Sequence, residues 1–342
     1  MEKIIQLQRK IAPELTQVIE ARYNLLRHIQ HTQPVGRRAL AMMLDMGERV
    51  VRAQVDWLKT AGLVEFSQLG MTVTAEGQAM LGDLAEYIRL LHGLVTLETE
   101  LVEKLNLKQV IIIPGDSEAD SAVRRELGRA AAGVLNQHLG DNMTVAVSGG
   151  STMAKVAEAI SFSMPSTTVV PARGGLGEIV EYQANTIAAV IAGKLGGRYR
   201  LLHIPDGVSE ETLEAILAGD AHLRTVADAI RHANILVHGI GEAVEMAERR
   251  GVPAETIAEI ERRGAVGEAL GQYCALPGKV VYVTSSIGLR LDDLAEIGTV
   301  IAVAGGSAKA KAILAVAGTG RQDVLVTDEA AAKAIQLLIN NI

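Results

Sequence analysis

The chain has 342 residues, of which 49% are apolar, so it is long and apolar enough to bury the cores of about two domains. Its single cysteine, Cys274, excludes an internal disulfide framework and a zinc site built from cysteines. A net charge of −7 argues against a protein that coats nucleic acid without sequence preference.

Charge is distributed unevenly along the chain. Residues 1–90 contain 11 Lys and Arg against 10 Asp and Glu, a net charge of +1, so the remainder carries −8. We therefore expect the acidic remainder not to contact DNA. No apolar run is long enough to span a membrane and no basic-then-apolar leader follows Met1, which predicts a cytoplasmic protein without a membrane partner.

The amino-terminal part predicts three helices followed by two short strands. An apolar stripe predicts a helix over residues 1–31, which ends at Gln33-Pro34. A short second helix covers 36–44, a third runs from Glu48 to Thr60, and two β-like pieces enclose a turn within 62–77. This order is typical of a winged helix-turn-helix.

The third of these helices has two distinct faces. Val51, Val55, Leu58 and Ala61 recur on one side, which we expect to be buried, and charged residues lie opposite, where they can contact phosphates or base edges. A charged face is often only a solvated surface, so the prediction depends on the order of the elements. The candidate DNA contacts are Arg37, Arg38, Glu48, Arg49, Arg52 and Lys59.

Beyond Lys108 the pattern changes to strands that alternate with helices, after a helical pattern from Gly77 through Leu105. The candidate strands are 109–113, 144–147, 167–170, 199–204, 235–238, 280–283, 300–303 and 324–326. They predict a doubly wound, Rossmann-like α/β domain that binds ligands at the carboxyl ends of its strands. The predicted domains are a winged DNA-binding domain at 1–90, a linker helix at 91–107 and a ligand-binding and oligomerisation domain at 108–342.

The clearest candidate for a binding loop is Ser148-Gly-Gly-Ser-Thr152, which follows an apolar strand and opens a helix. Backbone N–H groups, hydroxyls and a helix N-terminus can converge there on an anion, so a phosphate is the expected ligand. The loop residues in question are Gly149, Gly150, Ser151 and Thr152. In isolation, an ordinary glycine-rich turn that binds nothing would have the same pattern.

Other candidate ligand contacts also follow predicted strands. Arginine is suited to bidentate phosphate contact, and a carboxylate can accept hydrogen bonds from sugar hydroxyls. The segment 304–309 is a second glycine turn that ends in a lysine, which suggests a second anion cradle and hence two phosphates. These further candidates are Arg173, Arg249, Arg250, Glu268 and Lys309.

Several cofactor and enzyme classes find no support in the sequence. Gly239-Ile-Gly241 lacks the third glycine of a dinucleotide fingerprint, and residues 149–155 do not match a Walker A loop. No carboxylate pair and no Ser/His/Asp spacing stands out as catalytic. We therefore expect no cofactor, no metal and no enzymatic activity.

The full set of motifs resembles the SorC family, DeoR-like bacterial regulators of transcription that respond to sugars. The resemblance runs over essentially the whole chain and rests on residues 36–38, the helix-turn-helix, 148–152, 171–178, 183–186, 236–243, 302–306 and 326–329. It implies a winged-helix reader joined to a sugar-phosphate-binding domain similar to glucosamine-6-phosphate deaminase and ribose-5-phosphate isomerase. For glycolytic members it also implies repression of lower-glycolysis genes and fructose 1,6-bisphosphate as effector.

The resemblance also assigns roles to single residues. Gly149 through Thr152 would bind one phosphate, and Arg173, one or both of Arg249 and Arg250, Glu268 and Lys309 would complete the effector site. The chain departs from the family in the turn of the helix-turn-helix, where Asp45 replaces a glycine and Gly47 a capping serine. Asp tolerates left-handed geometry and Gly is an acceptable N-cap, so we expect the turn to persist.

The expected partners are operator DNA, a sugar phosphate and further copies of the chain. Dimers and tetramers would form through an apolar stripe on the helix predicted from Gly77 to Leu105, and effector binding would change the spacing of the readers. Two alternatives stay open. One is a sugar-phosphate isomerase or deaminase, and the other a related regulator that responds to a monophosphate such as glyceraldehyde 3-phosphate or deoxyribose 5-phosphate.

Overall fold

A computed structural model describes residues 2–175, 179–204 and 207–341. The chain divides into two compact units, Met1–Thr96 and Leu97–Ile342. The motif residues Leu176, Gly177 and Glu178 lie outside the described residues. None of the helices in the described ranges is long and apolar enough to cross a membrane.

The first unit consists of helices around a two-stranded wing. Its core joins Leu25 and Ile29 of the second helix to Leu40 of the third and Val55 of the fourth, because each helix has one apolar stripe. Its elements are α1 (Glu2–Ile11), α2 (Pro13–Thr32), α3 (Arg37–Met43), α4 (Glu48–Thr60), β1 (Val64–Ser67), β2 (Gly70–Val73) and α5 (Ala75–Leu91).

The helix predicted over residues 1–31 is in fact two helices, because Ala12 is not helical and Pro13 begins a new one. The turn between α3 and α4 keeps its expected shape. Asp45 has φ of 47°, the left-handed conformation expected at this position. Gly47 is the N-cap of α4 and makes no side-chain capping bond.

The wing is anchored to the chain that precedes α3. Val35 and Met71 exchange backbone hydrogen bonds of 3.1 and 2.8 Å, and Gln33 accepts the N–H of Val73 at 2.8 Å. A side chain at Gly70 would lie 2.9 Å from the backbone of Val35. The hairpin therefore has a fixed position within the first unit.

The long helix predicted from Gly77 to Leu105 is interrupted at Gly93, where φ is 70°. It consists of α5 and of α6 (Leu94–Leu105), which begins in the first unit and continues into the second. Leu94, Leu97 and Leu101 are buried within the chain. These three leucines are therefore covered, whereas Met80 of the same run is 38% exposed, and association through this stripe stays a prediction.

The second unit is built on a parallel sheet. Seven strands of the described residues lie in the order β3-β13-β12-β7-β4-β5-β6, and every neighbouring pair is parallel. The strands are β3 (Gln109–Ile113), β4 (Thr144–Val147), β5 (Thr168–Pro171), β6 (Arg198–Tyr199), β7 (Ile235–Gly239), β12 (Thr299–Val303) and β13 (Val324–Asp328).

Helices cover both faces of this sheet. Alternate strand residues such as Val145, Val237 and Ile301 pack under α7, α8 and α9, and the residues between them, such as Leu236, are buried on the opposite face. The helices that follow α6 in the described part of the second unit are α7 (Ser121–His138), α8 (Ser151–Ala159), α9 (Ala184–Leu195), α10 (Glu210–Gly219), α11 (Ala221–Arg231), α12 (Ala243–Arg249), α13 (Ala254–Arg262), α14 (Ala310–Ala317) and α15 (Glu329–Asn340), and of these α12 and α13 pack on residues 265–273 rather than on this sheet.

A second, antiparallel sheet was not expected. Its order is β11-β10-β9-β8, and it contains the 280–283 strand that we assigned to the parallel sheet. Its strands are β8 (Gly241–Glu242), β9 (Ala265–Ala269), β10 (Gln272–Ala275) and β11 (Lys279–Val283). The strand expected over 199–204 is also shorter than expected, because only Arg198–Tyr199 pairs with β5.

Replacing Gly47 tests the missing helix cap. A Cβ there would meet nothing closer than Val50 at 4.0 Å, so a serine fits and its hydroxyl can accept a free N–H of the first turn. We expect Gly47→Ser to unfold at a higher urea concentration than the unchanged chain. Gly47→Ala lacks the hydroxyl oxygen, so its free energy of unfolding should be lower than that of Gly47→Ser by about 1 kcal/mol. Fluorescence of Trp57, the only tryptophan, reports on α4 directly. Equal urea midpoints for the two variants would contradict the capping argument.

Candidate functional site

A cavity of about 400 Å³ lies at the carboxyl edge of the parallel sheet. The segments that follow β4, β5 and β7 line it, together with residues of β9 and the residue that precedes α14. Parallel strands end at the same edge, so segments far apart in the chain meet there. All nine predicted effector contacts line this cavity, namely Gly149, Gly150, Ser151, Thr152, Arg173, Arg249, Arg250, Glu268 and Lys309.

The glycine loop after β4 is held against a short helical turn at residues 180–182. Gly150 has φ of 119°, which favours glycine, and its N–H donates to the carbonyl of Tyr182 at 2.8 Å. A side chain at Gly149 would lie 2.6 Å from the same carbonyl. The first N–H groups of α8, at Ser151 and Thr152, have no acceptor within their own helix and border the cavity. The loop thus has the geometry of an anion-binding helix N-terminus.

Arg173 follows β5 and is only 5% exposed. Its guanidinium lies against the backbone of Gly271, where any Cβ would overlap it. Gly271 also has φ of 72°, so both its conformation and its neighbour favour glycine. A permanently charged group is therefore held beside the cavity by a turn of the antiparallel sheet.

Glu268 belongs to β9 of the antiparallel sheet and lines the cavity. It lies opposite Gly241, which comes shortly after the end of β7. Its carboxylate accepts hydrogen bonds from Nη2 of Arg250 at 2.8 Å and from the N–H of Gly271. The Arg250 and Glu268 side chains are 6% and 4% exposed, so this is a buried ion pair.

The two neighbouring arginines differ in their surroundings. Arg250 is buried and paired with Glu268, whereas the Arg249 side chain is 42% exposed and lies 3.7 Å from Glu245. Both line the cavity. The structure therefore keeps both as candidate ligand contacts, with Arg250 in the more fixed position.

Burial favours the uncharged form of two titratable side chains close to residues that line the cavity. Burial raises the pKa of Tyr273, which neighbours Arg250 and Glu268, to about 12. Burial also lowers the pKa of His238, whose ring nitrogens lie 2.6 Å from Gln322 and 2.9 Å from the Gly239 carbonyl. Charge in the cavity thus comes from its arginines, Lys309 and glutamates.

The second glycine turn does not form the expected anion cradle. The N–H of Gly306 donates to the carboxylate of Asp328 at 2.7 Å, and the N–H of Ser117 donates to the same oxygen at 2.8 Å. An internal carboxylate therefore occupies the position that we expected for a phosphate. Of the segment 304–309, only Lys309 lines the cavity.

Some residues of the site were missed from the sequence. Tyr182 and Gly271 act through a backbone carbonyl and an absent side chain, which no motif identifies. The positive φ of both Leu270 and Gly271 marks a tight hairpin turn, and the dipeptide Leu-Gly is a weak signal for one. Among the described residues, no cluster of His, Cys, Asp or Glu could hold a metal ion.

The first unit presents the candidate DNA contacts on and around α4. Val51, Val55 and Leu58 are buried, and Arg49 and Arg52 are exposed on the other side, as predicted. Ala61, which we expected with the buried residues, is exposed.

Of the four other candidates, Arg37 and Lys59 lie beside the wing. Arg37 pairs with Asp56 at 2.8 Å, and its guanidinium lies 4.8 Å from the Phe66 ring centre. Lys59 lies over the same ring at 4.9 Å. The weaker contact between Arg38 and Glu48, at 3.7 Å, joins α3 to the start of α4. These cations are arranged on one scaffold of helix and wing, which suits phosphate contact.

Two family models match different parts of the chain. The model of the CggR N-terminal DNA-binding domain matches residues 18–88, and the model of a sugar-binding domain matches residues 90–336.

Two relatives match along almost the whole chain. Proteins named central glycolytic genes regulator from Priestia megaterium and Bacillus subtilis are each 44% identical to it, over 97% of this chain and 98% of theirs. A protein named transcriptional regulator LsrR, from Enterobacter sp., is 31% identical over 72% of this chain and 77% of its own.

Solved structures show the same fold. A SorC family transcriptional regulator from Enterococcus faecalis superposes with a TM-score of 0.66 at 40% identity, over 70% of this chain and 99% of that one. The full-length sorbitol operon regulator of Klebsiella pneumoniae covers 94% of this chain and 98% of its own with a TM-score of 0.64, at 17% identity. The proteins named here are transcription regulators rather than enzymes. The chain belongs to the central glycolytic genes regulators, transcription regulators of the SorC family that combine a DNA-binding domain with a sugar-binding domain.

Proposed function

We propose that this chain represses an operon of glycolytic genes in the cytoplasm and that fructose 1,6-bisphosphate, bound in the cavity, modulates its operator binding. The observation that carries the proposal is the cavity itself, where the N-terminus of α8 meets Arg173, Arg250 and Lys309. Its volume of about 400 Å³ falls within the range of small-molecule sites.

The order of the strands favours a ligand with two anionic ends. The glycine loop follows β4, Lys309 follows β12, and β7 lies between these strands in the sheet. Strands separated by one neighbour are about 10 Å apart, so a ligand with a phosphate at each end suits simultaneous contact with the N-terminus of α8 and with Lys309. Glu268, which pairs with Gly241 just beyond β7, lines the same cavity and can accept hydrogen bonds from sugar hydroxyls.

One observation favours a monophosphate instead. Because Asp328 occupies the second glycine turn, the cavity has a single backbone cradle for a phosphate. A monophosphate would use the α8 N-terminus and leave Lys309 without an anionic partner. The effector titration below separates the two candidates.

In the proposed mechanism, Arg49 and Arg52 of α4 contact the operator and the chain acts as a dimer or tetramer. Bisphosphate binding favours one arrangement of the sugar-binding domains and thereby changes the spacing of the two readers. A coupling free energy of about 1–3 kcal/mol changes operator affinity several-fold to about a hundredfold.

Fluorescence anisotropy on DNA from upstream of the chain's own operon tests this function. At fixed salt, we expect specific binding that fructose 1,6-bisphosphate weakens or makes less cooperative, whereas fructose 6-phosphate leaves it unchanged. An equal response to the two sugars would favour the monophosphate reading. Specific DNA binding that neither sugar changes would exclude fructose 1,6-bisphosphate as the effector. If the chain does not bind this DNA specifically, the DNA does not contain its operator.

Removing Lys309 tests the second phosphate. A charge-assisted hydrogen bond contributes about 1.5–3 kcal/mol, so Lys309→Ala should weaken fructose 1,6-bisphosphate binding about ten- to a hundredfold in calorimetry. We expect fructose 6-phosphate to bind more weakly than the bisphosphate, and Lys309→Ala should reduce its affinity much less.

Lys311→Ala is the matched control. Lys311 lies two residues further on, in the first turn of α14, and is exposed outside the cavity, so its loss removes the same charge from a neighbouring position. It should leave the affinity for both sugars unchanged. If the two lysine variants weaken bisphosphate binding equally, Lys309 does not contact the ligand.

A further inference from the structure

The turn that carries Lys309 is bonded to the start of α15. Lys309 lines the cavity, and its backbone N–H donates to the carbonyl of Gly306 at 3.2 Å. The N–H of Gly306 in turn donates to Oδ2 of Asp328 at 2.7 Å. Asp328 is fully buried and is the N-cap of α15, where its Oδ1 accepts the N–H of Ala331 at 2.8 Å. A shift of Lys309 toward a ligand therefore acts on the first turn of α15.

The helix α15 is suited to transmit such a shift as a rigid element. Ala332 and Ile335 are buried along one side of it. Its first residue, Glu329, accepts the N–H of Gly115, just beyond β3, at 3.1 Å. Since a helix rises about 1.5 Å per residue, Gln336 lies about 12 Å along the axis from the capped end. Rigid helices and hydrogen-bond networks of this kind carry energetic coupling between separate sites.

The second half of α15 is bonded to α6. Nε2 of Gln336 donates to Oε2 of Glu100 at 2.5 Å, and both side chains are half-buried. Two residues earlier, Oε1 of Glu98 accepts the N–H of Ile112 at 2.7 Å, and Ile112 belongs to β3 at the edge of the sheet. Within the second unit, α6 is therefore attached to the sheet through one carboxylate and to α15 through the next.

We propose that Gln336 and Glu100 are positioning residues that transmit occupancy of the cavity from α15 to α6, and through α6 to the DNA-binding unit. The helix α6 begins at Leu94 in the first unit and continues into the second, so its attachment determines where the chain enters the sugar-binding domain. This role rests on the proposed function, because it requires a ligand in the cavity that changes operator affinity.

The bond between Gln336 and Glu100 is the step of this route that a substitution can break selectively. It joins two half-buried side chains, so its loss leaves both helices with their buried faces intact. Asp328, in contrast, accepts N–H groups from three separate segments, and its replacement would leave all three without their acceptor.

The test compares the operator affinity of the full chain without and with fructose 1,6-bisphosphate, by fluorescence anisotropy at fixed salt. Gln336→Glu removes the donor and sets two carboxylates against each other, so the bond is lost. We expect the ratio of the two operator affinities to fall several-fold, toward one. Calorimetry without DNA should give Gln336→Glu the same bisphosphate affinity as the unchanged chain, because Gln336 lies outside the cavity.

A second substitution provides a rescue. Adding Glu100→Gln to Gln336→Glu exchanges donor and acceptor, since the amide is then at position 100 and the carboxylate at position 336. The double variant should recover the ratio of the unchanged chain, which a merely structural role for Gln336 does not predict. Asn340→Ala is the matched control, because it removes an exposed amide from the end of the same helix and should leave the ratio unchanged.

Two results would overturn the proposal. One is a ratio in Gln336→Glu equal to that of the unchanged chain, and the other is a folded double variant that does not recover the ratio. Failure of the proposed function gives a different result, in which the bisphosphate does not alter operator affinity even in the unchanged chain. That result would contradict the effector and the proposed route together.

Discussion

The common direction of seven strands is the constraint on which the candidate effector site depends. Because β4, β5, β7 and β12 run in parallel side by side, the segments that leave them emerge at one edge. Residues as distant in the chain as Thr152, Arg173 and Lys309 therefore line one cavity. The antiparallel sheet begins close to the end of β7 and adds Glu268 to the same edge.

Burial of charge makes this cavity a prearranged site. Arg250 and Glu268 are both withdrawn from water, and removing either member of such a pair typically costs about 3–5 kcal/mol because the other stays buried without it. Gly271 contacts two buried charged groups of the cavity. It donates its N–H to Glu268, and its lack of a side chain leaves room for the guanidinium of Arg173. Little side-chain ordering is then left for ligand binding, which favours affinity.

Elements with local signals were predictable from the sequence, and tertiary partners were not. We searched for polar residues directly after predicted strands, because parallel strands bind ligands at their carboxyl ends. This search identified the cavity residues, since a glycine loop, an arginine or a lysine after an apolar run is a local pattern. What binds at the turn at Gly306 could not be predicted from neighbouring residues, since the carboxylate that accepts its N–H belongs to Asp328. Likewise, the apolar periodicity of residues 77–105 continues through Gly93. The periodicity therefore does not indicate that the helix is interrupted there, or that Leu94, Leu97 and Leu101 are buried.

A crystal structure of the full chain with fructose 1,6-bisphosphate tests the two-ended cavity most directly. We expect one phosphate on the backbone N–H groups of Ser151 and Thr152, the other beside Lys309, and the sugar hydroxyls facing Glu268. A ligand bound outside the cavity, or one whose second phosphate lies away from Lys309, would contradict the assignment of this site.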